Sequence, residues 1–218
     1  MMPPRPPAGV WPGLSLLAAA LCAALLAVVI AGGNEPLAID SALHEWALAH
    51  RTPGWDDAFT LVSETGTRLP ATVGAMIAGA LAAGRHWWLG AVAGGAALLL
   101  AQLLRYGLVV TIDRPRPPEA DWVTQVNNPA LPSGHATTSA LVAIGLAAAL
   151  WPRCRRRLTR ALAVGLPALW ATAIGLSRVY LGVHWPTDVL AGWLLAITLT
   201  TALLPLTPRL HSPPPTPT

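Results

Sequence analysis

Apolar residues in this chain fall in long unbroken blocks. They do not alternate as in a half-buried strand, nor do they form the one-sided stripe of a surface helix. Six blocks stand out, at about 10–31, 69–83, 89–112, 136–150, 161–176 and 189–206. A helix of about 20 apolar residues spans a hydrocarbon layer of ~30 Å. The pattern therefore predicts an all-α fold, a polytopic membrane helical bundle with six transmembrane helices. Arg5 ahead of the first block would also suit a signal peptide, but the block is long for one and no clean small-x-small cleavage site is followed by a soluble domain, so a retained span is expected. The second block is short and rich in Ala and Gly, which favours close helix packing. Arg85-His86-Trp87-Trp88 reads as a turn with interfacial anchors. Residues 33–68 are polar and predict two short helices. One has Asp40 as its cap and Leu43, Trp46 and Ala47 on one face. The other follows Pro53-Gly54 and carries Trp55, Phe59 and Val62 at helical spacing. Lying in the membrane interface and packing over the bundle are both open to them. The organisation expected is a cytoplasmic segment 1–9, one domain over 10–206 with 33–68 as its outer polar segment, and a proline-rich disordered tail over 207–218.

Composition supports the same class. The chain is 54% hydrophobic and 11% charged, less than half the charge of a soluble domain. Its 14 basic residues are all Arg, and the formal net charge is +4. These arginines form no stripe on a soluble face, so nucleic acid is not an expected partner. Their distribution sets orientation instead. Arg153, Arg155, Arg156, Arg157 and Arg160 crowd one short loop, which the positive-inside rule makes cytoplasmic. Six spans then put both termini inside, with Arg5, Arg85 and Arg209, and all ten acids outside. Cys22 and Cys154 are far apart in unlike surroundings and indicate neither a disulfide nor a metal site.

Three polar clusters fall on the expected outer side: D-R-P-R-P-P at 113–118, L-P-S-G-H-A-T-T-S at 131–139, and S-R-V-Y-L-G-V-H-W-P-T-D at 177–188. Charged residues beside lipid are costly and usually functional. Ser133 and Gly134 stand where a helix should begin, with unpaired N–H groups and the positive end of the dipole facing an anion. Arg178 offers a fork of donors suited to phosphate. Pro186 suits the first position of the last helix, which puts Asp188 in its first turn. From there Asp188 can hold one ring nitrogen of His184 and leave the other free to attack. Arg114 and Arg116 add charge from a stiff loop. Two histidines, an Asp, several Arg and a helix start make a kit for phosphoryl transfer through a histidine nucleophile. No His, Cys or Asp spacing indicates a metal.

These residues resemble the motifs of the membrane-bound type 2 phosphatidic acid phosphatase family, whose active-site design is shared with vanadium haloperoxidases. Those motifs are K-x6-R-P, P-S-G-H and S-R-x5-H-x3-D. Pro132-Ser133-Gly134-His135 matches the second, and Ser177-Arg178, His184 and Asp188 match the third at every spacing. The resemblance implies that His184 forms a phosphohistidine and Asp188 orients it. His135 would protonate the leaving oxygen and then activate water. Arg116, Arg178, Ser133 and Gly134 would hold the phosphate, with no metal or cofactor. The first motif departs: its Lys position is Val109 if Arg116-Pro117 is the R-P, or Gly107 if Arg114-Pro115 is. Arg105 lies one helical turn before Val109 on the same face, and both a replacement of the Lys and a structural role are open to it. The function expected is a lipid phosphatase of the cell membrane with its site on the periplasmic or extracellular side. Its substrate would be a lipid phosphate or pyrophosphate of the undecaprenyl pyrophosphate, phosphatidic acid or phosphatidylglycerol phosphate type. A lipid phosphotransferase and a non-catalytic phospholipid-binding or transport protein are the alternatives.

Overall fold

The structure is a computed structural model, and it describes residues 10–203. The expected segment 1–9 and tail 207–218, with Arg5 and Arg209, lie outside the described residues. Among those described, the regular structure is helical: α1 (Val10–Ala31), α2 (Ala38–Ala49), α3 (Pro53–Glu64), α4 (Arg68–Ala83), α5 (Trp87–Ile112), α6 (Gly134–Leu150), α7 (Arg157–Tyr180) and α8 (Pro186–Leu203), joined in places by single 3-10 turns. Four stretches are long and apolar enough to cross a membrane: Pro12–Ala31, Arg68–Ile112, Gly134–Arg153 and Arg157–Tyr180. The second of these contains both α4 and α5. Leu16, Leu69, Leu100 and Leu169 are among many large apolar side chains that face outward, as lipid-facing surfaces do.

Close packing rests on small residues. The α4–α5 hairpin turns at Gly84, and its backbones approach so tightly that a Cβ on Gly79 would sit 2.0 Å from the Gly90 carbonyl oxygen. Helix α6 is central, packed against α4, α7 and α8, and α1 lies along α8. With such packing supplied by small side chains, dispersion rather than burial from water holds the bundle together.

Helices α2 and α3 pack over α7, and α2 also touches α8. The structure corrects one detail of the sequence expectation, which put Leu43 and Trp46 on the same face as Ala47. The buried side of α2 is Asp40, His44 and Ala47, whereas Leu43 and Trp46 face outward, as does Trp55 of α3. The reason is polar: Asp40 pairs with Arg114 at 2.8 Å and His44 with Asp121 at 2.9 Å, both in the loop between α5 and α6. Asp40 is not the cap either. It stands at the third helical position, and its carboxylate accepts from the N–H of Leu37, the N-cap, at 3.1 Å. Helix α7 runs past the apolar block to Tyr180, so Arg178 lies in its last turn. The turn between α2 and α3 clamps that end: Arg51 donates to the Tyr180 carbonyl through Nε (3.0 Å) and Nη2 (2.8 Å), and to the Asp121 carbonyl through Nη1 (2.6 Å).

Candidate active site

The three sequence clusters converge at one end of the bundle. Each arrives on a local structure that its residues dictate. Helix α5 ends at Asp113 in the left-handed region (φ 50°), which turns the chain into R-P-R-P. Helix α6 begins at Gly134 with Ser133 as N-cap, and its hydroxyl makes no capping bond. Beyond α7 the chain reverses at Gly182 (φ +73°), where a Cβ would meet the Asp121 carbonyl oxygen at 2.4 Å, so glycine is required both conformationally and sterically. Pro186 opens α8, and Asp188, in its first turn, accepts from the Trp185 N–H at 2.8 Å. The Ser133 N–H donates to the Asp188 carbonyl at 3.0 Å, joining the second cluster to the third.

His184 is at the centre and is almost wholly buried. Its Nδ1 lies 3.5 Å from Asp188 Oδ2, a separation longer than a good hydrogen bond. Its Nε2 lies 3.0 Å from Arg116 Nη1. A guanidinium only donates, so Nε2 accepts and the ring proton belongs on Nδ1, toward the carboxylate. Arg116 also donates to the Val183 carbonyl. Arg178 is buried, gives Nη1 to Ser63 Oγ at 2.7 Å, and has no partner for Nε among the described residues. The Ser133 hydroxyl is likewise buried without a partner among them. His135, half-buried in the first turn of α6, is close enough to act electrostatically on His184, as are Arg105, Arg116 and Arg178.

Arg105 lies across this group. Its Nη1 donates to the Pro132 carbonyl (3.2 Å) and its Nε to Gln102 Oε1 (2.7 Å). A Cβ on Gly134 would stand 3.2 Å from its Cζ. Val109, at the Lys position of the motif, is fully buried. Arg114 is placed otherwise than the sequence grouped it. It is completely buried, and its donors go to Asp188, Thr187, Asp40 and the carbonyls of Asn34 and Glu35. It supports Asp188 from behind rather than facing the arginine cluster, because the two arginines of R-P-R-P point to opposite sides of the loop. Asp40, Ser63 and Thr187 are partners that sequence reading missed. Only the helical register of Asp40 with His44 hinted that α2 turns polar side chains inward.

Electrostatics follow from burial and crowding of cations. Burial, then Arg116 and Arg178, hold the His184 imidazole well below its usual 6.5, so it is neutral and nucleophilic. Burial lowers Arg116 to about 10, with Asp188 opposing and Arg105 adding to the shift. Arg116 is therefore still a cation at neutral pH. A site with several cations, unpartnered donors and a neutral imidazole suits an anion of high charge density next to Nε2.

Comparison with known proteins agrees with this chemistry. Phosphatidylglycerophosphatase B of Escherichia coli is 41% identical over 87 residues, covering 38% of this chain and 31% of that protein. The chain thus matches less than a third of that relative's length. Decaprenylphosphoryl-5-phosphoribose phosphatase of Mycolicibacterium smegmatis is 35% identical over 151 residues, covering 67% of this chain and 75% of the relative. The fold is that of a transmembrane PAP2 type phosphatidylglycerolphosphate phosphatase from Bacillus subtilis, with a TM-score of 0.72, 24% identity, and coverage of 88% and 95% of the two chains. The PAP2 superfamily is matched over residues 90–212, and the chain belongs to that superfamily.

Proposed function

We propose that this protein is an integral membrane lipid phosphatase that hydrolyses a lipid phosphate or pyrophosphate through a phosphohistidine. The observation that carries the reading is His184, with Nδ1 toward Asp188 and Nε2 against Arg116, and with Arg178, Arg105 and His135 close enough to act on its charge. Arrival of the phosphate draws Arg116 from Nε2 onto a phosphate oxygen. Nε2 then attacks phosphorus, the bond to the leaving oxygen breaks, and His135, entering the step as imidazolium beside the bound phosphate, gives that oxygen its proton and is left neutral. In the second half His135 takes a proton from water, the hydroxide attacks, the P–N bond breaks and free imidazole returns. Arg116, Arg178, Arg105, Ser133 and the N–H groups at the start of α6 stabilise the equatorial charge. Arg114 takes no part in binding phosphate.

The bundle reads as six spans, α1 and α4 to α8, with both termini cytoplasmic and the site on the outer side of the cell membrane. Support comes from the arginines at the opposite end. Arg153 donates to the Leu81 carbonyl, so the basic α6–α7 loop and Arg85 share one end while the three clusters share the other. The named activities of the E. coli and M. smegmatis relatives favour a lipid-borne phosphate ester. The test is phosphate release from defined lipid phosphates by purified protein in detergent, together with acid-quench trapping of the phosphoenzyme. Wild type should release phosphate and carry label on His184, and His184→Ala should do neither. Equal release by the two proteins would sink the proposal, and release without a phosphoenzyme would remove its covalent step.

A further inference from the structure

Both oxygens of Asp188 are engaged. Oδ1 accepts from Arg114 Nη1 at 2.6 Å, and Oδ2 accepts from the Trp185 N–H at 2.8 Å on the side that faces His184. The guanidinium on Oδ1 is itself held from behind: its Nη2 donates to Asp40 Oδ2 at 2.8 Å. Asp40 is fixed in turn by the N–H of Thr187 on Oδ1 (2.9 Å), and by the Thr187 hydroxyl (2.8 Å) and the Leu37 N–H (3.1 Å) on Oδ2. Asp40, Arg114 and Asp188 are all at 0% exposure. One cation thus lies between two carboxylates without water to screen them. Buried ions are costly unless compensated, and a staple joining α2 to α8 needs only one acid per arginine. With both acids ionised, the second leaves the cluster with one negative charge in excess, joined through Arg114 to the carboxylate that faces His184.

That excess has a use once His184 reacts. Phosphorylation at Nε2 with the proton retained on Nδ1 turns a neutral imidazole into a cation. We propose that Asp40 is a positioning residue for the nucleophile. Acting through Arg114, it fixes Asp188 and supplies the negative charge that balances the imidazolium formed when His184 takes the phosphoryl group. No proton passes along the chain: Arg114 stays protonated and Nδ1 keeps its hydrogen. The inference rests on the phosphohistidine reading and adds to it a side chain from α2, outside the three sequence clusters.

The test compares Asp40→Asn, Asp40→Glu and Arg114→Lys in the full chain in detergent, with the folded fraction fixed by thermal unfolding. Asp40→Asn should lower kcat at least about tenfold, as loss of a supporting partner commonly does, with KM within about twofold of wild type. It should also move the acid limb of kcat/KM to lower pH, because one negative charge fewer acts on His184. The other groups that face this ring, Arg105, Arg116, His135, Arg178 and Asp188, are unchanged. Asp40→Glu, which keeps the charge, should recover most of the kcat and the wild-type acid limb. Arg114→Lys keeps its charge but cannot bridge both acids, and should show the same fall in kcat at constant KM; it carries the test alone if Asp40→Asn does not fold. The inference is overturned if Asp40→Asn loses activity only in proportion to unfolded protein with an unmoved pH limb, if Asp40→Glu is no better than Asp40→Asn per folded molecule, or if Arg114→Lys keeps wild-type kcat. An inactive wild type would instead overturn the phosphatase reading itself, so the two failures are distinct.

Discussion

Truncating Arg105 to Ala separates its two possible roles. The side chain spends Nε on Gln102 and one terminal nitrogen on the Pro132 carbonyl. Its Nη2 donates to no protein group among the described residues, and a phosphate at Nε2 of His184 would supply an acceptor. A hydrogen bond to a charged group contributes about 1.5–3 kcal/mol. At about 1.4 kcal/mol per tenfold, Arg105→Ala should lower kcat/KM by roughly 10- to 150-fold, toward the lower figure because Arg116 and Arg178 still hold the phosphate. The structural cost should be small, since Gln102 keeps its hydrogen bond to Thr138 and Arg105 is only partly buried. Steady-state phosphate release from a defined lipid phosphate, normalised to folded protein, gives the ratio. Arg105→Lys should fall between the two, keeping charge but losing the fork. A kcat/KM for Arg105→Ala within about twofold of wild type would refute the reasoning and leave Arg105 as a structural contact of the Pro132 turn.

Two further outcomes follow from the same geometry. Gly134→Ala puts a methyl group 3.2 Å from Arg105 Cζ, so it should lower kcat/KM in wild type yet be nearly silent in Arg105→Ala; equal losses in both backgrounds would show that Gly134 acts independently of Arg105. The depressed His184 imidazole predicts a pH effect on stability. As pH falls through 6.5 the unfolded chain protonates this ring while the folded chain, through burial, Arg116 and Arg178, does not. The unfolded state then binds more protons, so stability falls below pH 6.5 by up to about 1.4 kcal/mol per pH unit, and this contribution is flat above it. The stability difference between wild type and His184→Gln, followed by thermal unfolding across pH 5–8, should show that slope; a pH-independent difference would contradict the depressed value.

Much of this was legible in the chain. Block lengths located the long helices to within a few residues, because apolar runs ending in Pro, Gly or charge leave little freedom for their ends. P-S-G-H and S-R-x5-H-x3-D set His135, Ser133, Arg178, His184 and Asp188 beside one another, since their spacings place them at adjoining helix ends. Arg114 and Arg116 were not separable, because residues two apart in an extended segment share a face; that Arg114 instead reaches Asp40 and Asp188 while Arg116 reaches His184 depends on the packing of α2 and the local path of the loop. The inward turn of Asp40 and His44 was equally hidden. Leu43 and Trp46 are the greasier pair, but His44 finds Asp121 at 2.9 Å and Asp40 finds Arg114, and satisfying buried charge outweighs covering two apolar side chains that lipid can solvate. Ser63 carried no sequence signal, being a single hydroxyl on an otherwise ordinary amphipathic helix.

The clamp made by α2 and α3 bears on how much chain the chemistry needs. The superfamily match begins at residue 90, and every motif residue lies beyond it. Yet Asp40, Arg51 and Ser63, which hold Arg114, the end of α7 and Arg178, come earlier. A graft or minimal fragment cut to the motif-bearing half would carry the nucleophile without its scaffold. The transplantable unit therefore starts no later than the polar stretch before α2, and recombination between relatives should respect that seam.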